Sequence, residues 1–74
     1  MTNLEAAFLN GLYAAANWHD YQADGFRKMS QDEPRLSPDI RNKAAQAATH
    51  HGASAVGIRQ LARRKLKEFQ REEN

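Results

Sequence analysis

The chain has no cysteine, only two prolines and four glycines, and few aromatic residues among its 74. Without cysteine, no disulfide framework, thiolate zinc site or thiol nucleophile is available. Such a chain is compatible with a reducing cytoplasm. No uninterrupted apolar run approaches the ~18 residues that a membrane span requires. The opening stretch, Met1 to Tyr21, starts apolar but lacks a basic leader and soon carries His19 and Asp20. It reads as mature chain rather than signal peptide. Charge of one sign is not in large excess either: the formal net charge of +2 is too modest to mark a nucleic-acid protein.

Large apolar side chains are scarce as well, since 13 residues of the apolar set are alanine. Ordering a chain of this size costs roughly 110 kcal/mol at about 1.5 kcal/mol per residue. A domain this small buries only about 60% of its unfolded surface. With so thin a core and no staple, self-association is expected. Catalysis is not: the chain has no Gly-x-Ser-x-Gly elbow, and Ser30, Ser37 and Ser54 read as helix end, cap and helix body. No metal or cofactor is expected.

What is present is helical periodicity. Thr2 with Glu5 three places on forms a capping-box pattern. Leu4, Phe8, Leu12, Ala15, Trp18, Phe26 and Met29 recur in a stripe that also holds His19 and Gln22. This predicts a first helix from about residue 3 to 30. A proline-bounded loop over about 31–37 follows, in which Pro34 and Pro38 separate the helices and Ser37 is placed as N-cap. The second helix is expected from 38 to about 71, with Ile40, Ala44, Ala47, His51, Ala55, Ile58, Ala62, Leu66 and Phe69 as its stripe. Gly25, Gly52 and Gly57 are places where either helix could break. The pattern therefore predicts one all-α domain over 1–74, an antiparallel helical hairpin of two long helices, dimerising into a four-helix bundle. Setting Met29 opposite Ile40 puts Trp18 near His51 and Gly52, and Phe8 near Leu61 and Ala62.

Some apolar residues fall outside these stripes. Leu9, Tyr13 and Ala16 on the first helix, and Ala45, Gly52, Ala53 and Val56 on the second, project away from them. A helix with a second apolar face is usually buried on more than one side. The candidate dimer face is accordingly Leu9, Ala16, Ala45, Gly52, Val56 and Phe69. His19, His50 and His51 share a layer beside Trp18. Adjacent His50 and His51 diverge by about 100° on a helix and cannot chelate a metal as a simple pair. A hydrogen-bonded core or interface histidine is expected at position 51, with pH sensitivity as a possible consequence because histidine titrates near neutrality.

Charge is unevenly placed. Residues 1–33 hold five acids and two bases, and residues 34–74 hold four acids and nine bases. Antiparallel packing can use this asymmetry. Asp24 and Lys28 have i,i+4 spacing for an ion pair. Arg59, Arg63, Lys67 and Arg71 step by four along the outside of the second helix, joined by Arg64, while Lys65 falls inside the apolar arc. This row suits an acidic protein surface, a phosphate backbone or simply solvent. No helix-turn-helix spacing supports the phosphate reading.

The aromatic patch "NWHDY" and the basic run "ARRKLKEF", in a very short, alanine-rich, cysteine-free chain, resemble the small all-helical accessory proteins of phages and other mobile elements. The resemblance implies a protein that docks on a host transcription regulator or defence component and inhibits it by occupancy. It carries over no functional residue. The sequence thus favours a dimeric protein-binding inhibitor or regulator, cytoplasmic and without a membrane. Tyr13, Trp18, Tyr21, Arg59, Arg63, Arg64, Lys67 and Arg71 are its candidate partner contacts, since aromatics and Arg are enriched among binding hot spots. The alternative is a small nucleic-acid-binding regulator that uses the basic row.

Overall fold

The computed structural model describes residues 1–72, which form an all-α helical hairpin: α1, Asn3–Asp32, followed by α2, Pro38–Glu72. Local chemistry accounts for the ends. Thr2 accepts a hydrogen bond from the Glu5 amide at 3.0 Å, and the Glu5 carboxylate accepts one from the Thr2 amide at 2.8 Å. Two otherwise orphaned amides at the start of α1 are satisfied by this capping box.

α1 runs two residues beyond the expected end, to Asp32, and stops at Glu33 in extended geometry. Proline disfavours helix in the residue before it, so Pro34 sets that limit rather than Gly25 or Ser30. A tight turn follows, in which the Glu33 carbonyl accepts from the Leu36 amide at 3.3 Å. The same carbonyl accepts from the Arg41 guanidinium at 2.9 Å. α1 has no basic residue in its last turn, and Arg41 of α2 supplies a cation at its negative end. Ser37 then caps α2, accepting from the Ile40 amide at 3.3 Å. α2 continues unbroken through Gly52 and Gly57, and α1 through Gly25. None of the glycines has positive φ.

The helices pack side by side into a rod measuring 57 × 16 × 11 Å. Its seam is made mainly of alanine: Ala16 and Ala23 from α1 and Ala44, Ala48, Ala55 and Ala62 from α2 are buried, with Leu9 of α1 the one larger side chain. This corrects the expected face of α1. Leu9 and Ala16, expected to point away from the hairpin toward a second copy, are only 6% and 0% exposed within a single chain. Alanine against alanine lets the helix axes approach closely, and the larger residues are left to the seam's edges. Among the described residues, no helix is long and apolar enough to cross a membrane.

Candidate functional site

Steps of seven residues show how each helix is used. On α1, the rows Glu5–Leu12–His19–Phe26 and Leu9–Ala16–Ala23–Ser30 are buried or half-buried against α2. On α2, the matching rows are Ala44–His51–Ile58–Lys65 and Arg41–Ala48–Ala55–Ala62–Phe69. Alternating steps of three and four between paired rows are those of knobs-into-holes packing.

α1 carries a second pair of rows of the same kind. Leu4, Gly11, Trp18 and Gly25 form one, and Phe8, Ala15, Gln22 and Met29 form the other. None of these eight residues is charged, and only Gln22 is even half-buried. Leu4 is 83% exposed, Trp18 55%, Phe8 46% and Met29 38%. The row Ile40–Ala47–Ser54–Leu61 of α2 flanks the same side of the seam. Cross-hairpin ring contacts mark this side: Phe8 meets Phe69 edge-on at 6.2 Å, Trp18 meets His51 at 5.7 Å, and Phe26 stacks on His51 at 5.7 Å. Phe8 thus reaches the ring about two turns beyond Leu61 and Ala62, whereas the pairing of Trp18 with His51 is as expected.

At the middle of this side the Nδ1 atoms of His19 and His51 lie 2.8 Å apart. One of the two nitrogens donates and the other accepts, so the bond tolerates one proton between them and no more. Phe26 covers one face of the His51 ring, and Trp18 lies edge-on to both imidazoles. His50 is exposed. Among the described residues, no three His, Cys, Asp or Glu side chains converge to hold a metal ion.

The opposite side of the seam is polar. Arg59 donates to the Asn17 amide oxygen at 2.9 Å and to the Asp20 carboxylate at 2.6 Å, clasping the two helices. Arg59 was expected in the outward row, but the acids of α1 draw it inward and leave its side chain 30% exposed. Asp24 pairs with Arg27 at 2.6 Å rather than with Lys28, because the nearer guanidinium reaches it at i+3. Lys65, placed within the apolar arc, turns to Glu68 at 3.1 Å. Between Arg27, Ser30 and Gln31 of α1 and Ala45, Thr49, Gly52 and Ala53 of α2 runs a shallow open groove.

The expected contact residues are therefore divided. Tyr13 lies one turn before Asn17, and Arg63 one turn after Arg59, so both occupy the clasp's edge toward the same end of the rod. Arg63, Lys67 and Arg71 continue along α2, with Arg64 beside them, all exposed. No ion pair among the described residues engages these four cations. Tyr21 is exposed on the outside of α1, and Trp18 belongs to the apolar side. Of the expected dimer face, Ala45, Gly52 and Val56 lie along the polar side, with Val56 exposed, while Phe69 joins the opposite edge against Phe8. Leu4, Phe8, Ala15, Trp18, Gln22 and Met29 of the second pair of rows were expected to face α2, but all except half-buried Gln22 are exposed beside the seam, because Leu9, Ala16 and Ala23 occupy it instead. No family model, no curated protein and no solved structure matches the chain, so its own geometry carries the functional reading.

Proposed function

We propose that this chain is a non-catalytic protein-binding module, a small dimeric inhibitor or regulator that acts by occupying a surface of another protein. A host transcription regulator or defence component is the kind of target suggested by its resemblance to mobile-element accessory proteins, and we place its action in the cytoplasm. The observation that carries this reading is exposed Tyr13 at the clasp's edge with Arg63, followed along α2 by the exposed cations Lys67 and Arg71. An aromatic anchor beside guanidinium groups suits an acidic protein surface. The groove between Arg27, Ser30 and Gln31 of α1 and Ala45 to Ala53 of α2 is shallow and lined mainly by small side chains, a form suited to docking rather than to enclosing a substrate.

The test is affinity purification of tagged chain beside an Arg63→Glu/Lys67→Glu variant. A stoichiometric partner captured by the first and lost by the second is expected. Equal capture by both would remove the cation row from the interface.

The same unpaired cations support a second reading, a nucleic-acid-binding regulator. Titration of labelled duplex DNA at several salt concentrations separates the two. Three phosphate contacts give a slope near −2.7 in log affinity against log salt, at about −0.9 per contact. No binding at low salt is the result expected of a protein-directed module.

A further inference from the structure

We infer that a second copy of this chain seats on the apolar side of the hairpin, with Trp18 at the centre of the contact, rather than on the side holding Ala45 and Val56. The inference rests on the dimeric part of the proposed function alone and is independent of what the dimer binds.

Surface area supports it first. A folded monomer of 8.4 kDa is expected to expose about 4,600 Å². This chain exposes 5531 Å². The surplus of roughly 900 Å² is close to the ~800 Å² that each partner contributes to a stable interface. It is the excess of a two-helix rod one layer thick, and a second layer removes it.

Helix chemistry supports it independently. The uncharged rows on α1 repeat the heptad spacing by which α1 already packs on α2, over the same length of helix. A helical partner of matching length is the form of occupant this spacing fits, and the chain itself is one. The uncharged rows of α1 also meet their own copy without like-charge repulsion, and the charged member of the flanking α2 row, Glu68, lies at one end of that side. The opposite side carries Arg27, Asp20, Arg59 and Arg63, and two such sides brought together would bury those groups.

The glycines fit the same arrangement. A Cβ at Gly11 or Gly25 would meet nothing within 4 Å in the single chain. These two positions lie seven residues either side of Trp18 and leave hollows flanking a large indole. Trp18 is near the midpoint of α1, so a two-fold axis through the centre of the face brings it beside its counterpart. The hollows are then open to side chains of the second copy.

Sedimentation equilibrium of the full chain tests this, together with Trp18→Glu and Val56→Glu. Both substituted residues are more than half exposed in the single chain, so each introduces a carboxylate on one side of the rod. Wild type is expected at twice the 8.4 kDa chain mass. Val56→Glu should stay dimeric, while Trp18→Glu should raise the dissociation constant at least 100-fold with helical circular dichroism retained. A wild-type chain monomeric at 100 μM overturns the inference, even if a different protein then binds the Trp18 face. So does a dimer broken by Val56→Glu but not by Trp18→Glu.

Should Trp18→Glu unfold, dilution of wild type gives the decision, because Trp18 is the chain's single tryptophan. Its emission should shift to the red as the dimer dissociates. A dimer that dissociates with no change at Trp18 also overturns the inference. Loss of the dimer with partner capture intact would leave the protein-binding reading standing.

Discussion

Replacing Gly57 with alanine should stabilise the hairpin. Gly57 lies in the interior of α2 and is exposed. Its backbone has no positive φ, and an added Cβ would meet no atom within 4 Å. The substitution therefore adds neither strain nor overlap and leaves only the intrinsic helix preference. That preference favours alanine by about 0.8–1.0 kcal/mol. In a domain of this size a change of ~1 kcal/mol moves the thermal midpoint by about 4–8 °C.

The assay is thermal unfolding by circular dichroism of wild type and Gly57→Ala at matched concentration, so that any dimer contributes equally. Gly57 is exposed outside the seam, so its gain is read with both chains at the same concentration. Gly25→Ala shares the helix term but places its methyl on the apolar face. Its gain should shrink where the chain is dimeric. A fall in the midpoint for Gly57→Ala would show that something close to Gly57 is missing from the packing described, and would refute the reasoning.

Three further outcomes are expected. Leu9→Ala empties the one large side chain among the buried seam residues and should cost about 2–5 kcal/mol in denaturant unfolding; a cost below about 1 kcal/mol would mean that Leu9 is not in the seam. A double-mutant cycle on Asp20 and Arg59 should give a coupling of about 0.2–1 kcal/mol that shrinks in high salt, because the pair is partly exposed; zero coupling at low salt would argue against the clasp. His51→Ala strands the His19 Nδ1 without its partner and should cost about 1–3 kcal/mol, while adding His19→Ala should cost clearly less than the sum of the two single changes; strict additivity would contradict the 2.8 Å contact.

Local signals in the sequence located the helices well. Thr2 with Glu5, and Ser37 before Pro38, act through groups three residues apart and needed no tertiary information. The ends were less legible, because Ser30 and Gly25 looked like stops while only the steric effect of Pro34 on Glu33 was decisive. The candidate contacts were legible as residue types but not as a surface. Trp18, Tyr13 and Tyr21 proved to lie on different parts of the rod, and Arg59 was drawn into the clasp by carboxylate and amide groups far away in sequence.

The sequence by itself determined two capped helices, a proline-limited turn and hence an antiparallel hairpin, since each of these follows from steric and hydrogen-bonding effects within a few residues. Which face of α1 meets α2 was decided only by tertiary packing. Two sets of heptad rows lie side by side on that helix, and hydrophobic periodicity is satisfied by either. Packing selected the one built on Leu9, Ala16 and Ala23, which lie buried in the seam with the alanines of α2. The bulkier set with Leu4, Phe8, Trp18 and Met29 was thereby left on the outside.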